Sequence, residues 1–256
     1  MTFLDALILG AIEGITEFLP ISSTGHLILA SHLLGIPDGS FLTSFEIAIQ
    51  LGAICAVLLL YWKSFLNIEI LKRLLAGFIP TAVIGLLLYS FVKHYLLGNE
   101  MIVVVALLVG GVALIVFELL HKERPDVPEG LEAITYPQAF LIGIFQSFAM
   151  IPGVSRSAAT IVGGLLLGVR RTTIVEFSFL LAVPTMGAAV ALDVLKSSQS
   201  FTTEAVGYIA VGFITAFFVA LVAVKFLLKF VKTSTFIPFG IYRIVIAALF
   251  FFFILT

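Results

Sequence analysis

Six stretches of the chain are apolar without interruption and approach or exceed the roughly 20 residues that a bilayer crossing takes. They cover 45–62, 74–92, 101–117, 177–192, 205–230 and 236–255. Two further apolar regions are broken in the middle. Residues 3–34 are interrupted at Pro20-Ile-Ser-Ser-Thr-Gly25, and residues 139–168 at Pro152-Gly-Val-Ser-Arg-Ser157. Each half of a broken region is only about ten to fifteen residues, short of a comfortable span. Broken apolar segments at matching positions in two halves point to a buried site made by re-entrant helices. The pattern predicts an all-α integral membrane protein with six transmembrane helices and two re-entrant helical hairpins.

The halves match weakly but over the whole length. Gly10-x-x-Glu13 aligns with Gly143-x-x-Gln146 at an offset of 133 residues, as do Ser22 with Ser155 and Lys63 with Lys196. Gly77-Phe-Ile aligns with Gly212-Phe-Ile at an offset of 135. We read one membrane domain over 1–256, with a first repeat of about 1–120 and a second of about 134–256. One hairpin plus three crossings per repeat gives an odd number of crossings, so the second copy is inverted.

Charge fixes the expected orientation. With the amino terminus outside, ten basic residues fall inside: Lys63, Lys72, Arg73, Lys122, Arg124, Arg170, Arg171, Lys225, Lys229 and Lys232. Lys93 and Lys196 fall outside, and Arg156 and Arg243 lie within apolar segments. The positive-inside rule then places both termini outside, with the first hairpin entering from outside and the second from inside.

Composition agrees. The chain is 61% hydrophobic and 11% charged, against about 25% charged in a soluble domain, and its mean hydropathy is +1.21. A net charge of -1 leaves no basic footprint for nucleic acid. The single cysteine, Cys55, excludes an internal disulfide and reads as a small buried residue. No cleavable signal peptide is expected, because Asp5 stands where a basic region should be and Glu13 and Glu17 interrupt the apolar run.

A charge at the centre of a membrane helix costs at least about 2.5–3.5 kcal/mol, so such residues are functional candidates. Here they are Glu13, Glu17, His26, Glu46, Arg156 and Arg243. Glu13 and Glu17 are four apart and share a helical face. Their repulsion would be relieved by a divalent cation, a shared proton or an arginine. Pro20 stops the first half-helix, and Ser22 or Ser23 is a natural cap for the next. The free N–H groups of that helix start make an anion site. Ser22 and Ser23 lie four and three residues before His26, close enough for a hydroxyl and an imidazole to cooperate.

The second break repeats the cap with Ser155 and adds Arg156 and Ser157. Arginine matches phosphate oxygens with its planar fork. Placed at a positive helix end, it needs either a bound phosphate or one of the two acids. Glu46 and Gln50 share a face of the next helix and could orient His26 or Arg243, though a structural polar pair is the simpler reading. Together these groups describe an anionic headgroup site. A bridging Mg²⁺ or Ca²⁺ on Glu13 and Glu17 reconciles the acids with a pyrophosphate.

Two motifs carry a resemblance: Glu13-Gly-Ile-Thr-Glu17-Phe-Leu-Pro-Ile-Ser-Ser23-Thr-Gly-His26 and Pro152-Gly-Val-Ser-Arg156-Ser-Ala-Ala-Thr160. The chain resembles the undecaprenyl pyrophosphate phosphatase (bacitracin-resistance) family. One departure is Ala158, where glycine is expected after Ser-Arg-Ser. A methyl there would tighten packing without touching the chemistry. The resemblance implies removal of the terminal phosphate of a C55 polyprenyl pyrophosphate, giving the monophosphate carrier of cell-wall assembly. It also implies divalent-metal dependence, a cytoplasmic (inner) membrane location and a site open to the outer face. Under it, Glu13 and Glu17 bind metal or handle protons, Ser23 or His26 attacks, and Arg156 clamps phosphate. Ser22, Thr24, Ser155, Ser157 and Thr160 are expected headgroup contacts. The expected partners are the lipid substrate, the bilayer and a second copy in a homodimer. The competing reading is an inverted-repeat transporter or flippase of an anionic lipid or solute.

Overall fold

The computed structural model describes residues 1–96, 98–122, 127–196 and 203–254. Among these there is no strand, and the α-helices follow in order: α1 (Phe3–Thr16), α2 (Ser23–Leu33), α3 (Ser40–Leu60), α4 (Ile68–Phe91), α5 (Glu100–Leu120), α6 (Tyr136–Ser147), α7 (Arg156–Leu166), α8 (Arg171–Lys196), α9 (Thr203–Phe230) and α10 (Ile237–Ile254). Of the described helices, α3, α4, α5, α8 and α9 are long and apolar enough to cross a membrane. The segment Ile237–Phe253 of α10 is apolar but shorter. The protein is a multi-pass membrane protein.

The spans reach further than their apolar cores. Helix α3 begins at Ser40, so Glu46 and Gln50 lie well inside it, and α4 begins at Ile68, so Lys72 and Arg73 are helical. Polar caps set the starts of α4 and α5, because the first N–H groups of a helix need acceptors. Asn67 Oδ1 accepts from the Glu69 and Ile70 amides at 2.9 and 3.4 Å. Asn99 Oδ1 accepts from the Ile102 amide at 3.3 Å.

The correspondence between the halves extends to element ends. Thr2 and Asp5 close a reciprocal capping box at the start of α1, with bonds of 2.6 and 3.2 Å. Thr135 and Gln138 close the same box at the start of α6, at 2.9 and 3.3 Å. Helices α2 and α7 each run 11 residues. The residues before them, Ser22 and Ser155, have φ of 72° and 76° and are the positive-φ non-glycine residues among those described. That conformation is uncommon for a residue with a side chain, so its recurrence marks a shared device.

Packing is reciprocal too. Helix α1 lies on α9, and α6 on α4. At the first crossing a Cβ on Gly10 would meet the Gly212 carbonyl, and at the second a Cβ on Gly143 would meet the Gly77 carbonyl. These glycines are the aligned pairs, used crosswise. Helices α5 and α10 pack directly on each other through Gly111 and Gly240. Small residues at such crossings let backbones approach closely where no hydrophobic drive separates helix from lipid. The main core gathers Phe18, Phe177, Phe179 and Phe236, while Leu86, Leu87, Leu119, Leu120 and Phe252 stay exposed on outer faces.

Candidate active site

The two breaks meet. Proline 20 cannot extend α1, and the chain turns until Ser22 restarts it as α2. At the second break Gly153 takes φ +94° with its Cα against the Val103 backbone, where a side chain has no room. The starts of α2 and α7 then face one cavity of about 150 Å³, lined by Glu17, Ser22, Ser23, Thr24, Gln50, Ala149, Gly153, Ser155, Arg156 and Met186.

Glu17 is the hub. Its Oε1 accepts from Arg156 Nη2 at 3.0 Å and its Oε2 accepts from the Ser23 hydroxyl at 2.6 Å. Both partners of this ion pair are largely buried, with 11% and 6% of their side chains exposed, so it is sheltered from the screening that weakens surface pairs. Arg156 Nη1 donates to the Ser178 carbonyl at 2.7 Å, and its Nε is buried without a hydrogen-bond partner. Glu13 is fully buried one turn before Glu17, and both its carboxylate oxygens lack a hydrogen-bond partner. An unpaired buried carboxylate is costly.

The equivalent residue shows what was withheld. Gln146 donates to Thr81 Oγ1 at 2.9 Å and Thr185 Oγ1 at 3.0 Å. By the same offsets, the positions answering to Thr81 and Thr185 are Ala216 and Gly52. The acid keeps its place in the repeat while its hydroxyl partners are absent.

His26 is 8% exposed and stands outside the cavity lining. Its Nδ1 is 2.7 Å from the Ser22 carbonyl and its Nε2 2.9 Å from the Tyr242 hydroxyl. Ser157 and Thr160 are likewise not brought into the lining. The Ser157 hydroxyl donates to the Phe18 carbonyl at 2.7 Å, and Thr160 Oγ1 lies 2.6 Å from Ser178 Oγ. Ser157 thus joins the two breaks from behind, and Thr160 ties α7 to α8. Ser155 Oγ accepts from the Ala158 amide at 3.2 Å. Ser22 makes no such side-chain cap.

Arg243 is fully buried, and neither Glu46 nor Gln50 is among its hydrogen-bond partners. It is held by backbone carbonyls: Val154 at 2.8 Å, Gly153 at 2.9 Å, Ala106 at 3.0 Å, and Pro20 and Leu107 at 3.4 Å. Sequence reasoning singled out Arg243 but not this role, and it missed Tyr242 and Ser178 altogether. No local pattern marks those two, because their partners lie far away in the chain.

Among the described residues no group of three or more His, Cys, Asp or Glu side chains gathers as a metal cluster. The two acids are hard oxygen donors, and Glu13 has both oxygens free of hydrogen bonds. Magnesium sites commonly use one or two carboxylates and complete their shell with water and substrate phosphate. The residues therefore fit a divalent cation bound together with a phosphorylated substrate. A larger cavity of about 760 Å³ is lined by Glu129, Arg170, Arg171, Glu176 and Lys232. There Arg170 pairs with Glu129 at 3.0 Å and Arg171 with Glu118 at 2.7 Å.

Helices long enough to cross a bilayer, broken helices between them, and a buried cavity lined by an acid, hydroxyls and an arginine define a polytopic membrane protein with a charged internal cavity. Residues 6–249 match the family described as bacitracin resistance protein BacA. A protein of Sulfurihydrogenibium sp. (strain YO3AOP1) named undecaprenyl-diphosphatase is 53% identical over 251 residues, 98% of this chain and 99% of its own. An undecaprenyl-diphosphatase of Aquifex aeolicus is 50% identical over 247 residues, 96% of each chain. One of Campylobacter jejuni (serotype O:6) is 52% identical over 256 residues, 98% of this chain and 94% of its own. The chain belongs to the bacitracin resistance protein BacA family.

Proposed function

We propose that this protein is a membrane phosphatase that cleaves undecaprenyl or a similar polyprenyl pyrophosphate to the lipid monophosphate and inorganic phosphate. The product is the carrier reused in cell-wall synthesis, and its regeneration confers bacitracin resistance. The observation that carries the reading is the Glu17 carboxylate. It joins the Ser23 hydroxyl of one half-helix start to the Arg156 guanidinium of the other, in a chain about half identical to undecaprenyl-diphosphatases over nearly all its length.

The geometry favours Ser23 over His26 as nucleophile. Its hydroxyl already donates to a carboxylate that can take the proton as the Oγ–phosphorus bond forms. The lipid phosphate leaves, and water then releases the phosphoryl group from Ser23. Arg156, with Nε unpaired, has a donor left for a phosphate oxygen while Glu17 holds the fork in place. The amides at the starts of α2 and α7 and the hydroxyls of Ser22, Thr24 and Ser155 complete the headgroup pocket. Glu13 and Glu17 would hold Mg²⁺ or Ca²⁺, which supplies charge neutralisation for the pyrophosphate.

The same reading makes α1–α2 and α6–α7 re-entrant hairpins and α3, α4, α5, α8, α9 and α10 the six spans. The repeats cover about 1–120 and 134–256, with the second inverted. The crosswise glycine contacts support it, and the distribution of basic residues supports both termini outside, in the cytoplasmic membrane, with the site open to the outer face. Phosphate release from C55 and C15 polyprenyl pyrophosphates by the purified protein in detergent tests the function. Lipid pyrophosphate left intact would overturn it.

A further inference from the structure

His26 is engaged at both ring nitrogens, and its two partners are unequal. A backbone carbonyl only accepts, so the 2.7 Å contact to Ser22 puts the hydrogen on Nδ1. In the neutral ring the lone pair is therefore on Nε2, and the Tyr242 hydroxyl, 2.9 Å away, donates to it. The two rings are near-parallel, 5° apart with centroids at 5.5 Å. Tyr242 belongs to α10, 216 residues from His26, and its neighbour Arg243 binds the carbonyls at both breaks. Another helix against this turn, α5, packs Val103 and Leu107 beside Gly25.

We propose that Tyr242 is a positioning residue for the phosphatase site: while the Ser22 carbonyl sets the Nδ1–H tautomer, the Tyr242 hydroxyl holds the His26 ring and occupies the nitrogen that would otherwise be free to attack phosphorus. A phenol suits this place in a way that no apolar ring can. With neutral imidazole its O–H donates to Nε2. When Nε2 takes a proton, the new N–H donates to the same oxygen, and the phenolic hydrogen turns aside. One partner thus serves both charge states without either ring moving. Lysine or a carboxylate would favour one state by its own charge; tyrosine favours neither. The consequence is a division of labour, with Ser23 facing the cavity as nucleophile and His26 held behind it, shaping the Ser22 turn that presents Ser23.

The kinetic part of this proposal rests on the phosphatase reading, and the spectroscopic part does not. Tyr242→Phe keeps the ring and removes only the oxygen. The ¹⁵N resonances of the His26 ring, assigned by their loss in His26→Gln, report the tautomer in detergent-solubilised protein. In the wild type we expect a single Nδ1–H form. In Tyr242→Phe, with the Ser22 carbonyl still in place, we expect the Nδ1–H form to persist while the Nε2 resonance shifts on losing its donor, with a kcat about tenfold lower and a KM within twofold of wild type. A wild-type ring with its hydrogen on Nε2 overturns the proposal before any variant is made. So does a Tyr242→Phe protein with unchanged ring resonances and unchanged kcat. If the wild type releases no phosphate from polyprenyl pyrophosphate, the phosphatase reading falls, and the resonances still decide the role of Tyr242.

Discussion

The two breaks are alike in backbone and unlike in chemistry. Ser22 and Ser155 share a positive φ, and each opens an 11-residue helix toward the same cavity. Yet the first residue of α2 is Ser23 and that of α7 is Arg156, and near the ends of the preceding helices Glu13 answers to Gln146. At the second break the Gln146 amide nitrogen has two threonine acceptors and Ser155 caps its own helix, while Gln146 Oε1 and Arg156 Nε are buried without partners. The first copy is left wanting, with Glu13 unpaired and Ser22 free of a cap bond. The two breaks share a backbone frame, and the first differs in placing a carboxylate with both oxygens free of hydrogen bonds beside the cavity acid Glu17.

The comparison can be broken at several points, in falling order of expected effect. Glu17→Gln and Arg156→Ala each cut the link between the halves and should lower phosphate release by roughly 100-fold or more, as loss of one partner of a buried charge pair implies. Near-normal turnover in either would remove Glu17 as the hub. EDTA should abolish release and added Mg²⁺ or Ca²⁺ restore it, with full activity after chelation refuting a cation on Glu13.

Glu13→Gln and Gln146→Leu should behave oppositely. The first should lose turnover while its thermal unfolding stays put or rises, since a costly unpaired carboxylate is gone. The second should keep most of its activity and lose about 1–3 kcal/mol of stability, because Thr81 and Thr185 lose their partner. Equal stability losses in both would erase the asymmetry. Smallest of all, Ser155→Ala should cost about 1 kcal/mol through its lost helix cap, and Ser22→Ala almost nothing in stability, read by parallel thermal unfolding in detergent.

Much of this frame was visible in the sequence because it is local. Pro20 and the serines after it end one helix and begin another, and the recurrence of that signal near Ser155 exposed the second break. Glu13, Glu17 and Arg156 stood out because charge in an apolar run is expensive. What escaped was set by packing between distant segments. Ser157 and Thr160 follow Arg156 closely enough to suggest headgroup contacts, but the rotation of α7 turns them to Phe18 and Ser178. Tyr242 and Ser178 carry no motif, and only the fold brings them to His26 and Arg156. The extents of α3 and α4 were underestimated because polar residues at their ends cap or snorkel instead of ending the helix.

The carbonyl cage around Arg243 bears on motion. Its guanidinium spans Pro20 of one hairpin and Gly153 and Val154 of the other, with three of its five bonds at 3.0 Å or less. Hydrogen bonds to a charged group contribute about 1.5–3 kcal/mol each. Parting the hairpins to pass a headgroup across the membrane would strand a buried cation as well as break those bonds. A rocking carrier needs two states of similar energy; this rivet makes one of them expensive. The cage thus ties the two breaks into one rigid pocket, held by a single side chain from α10.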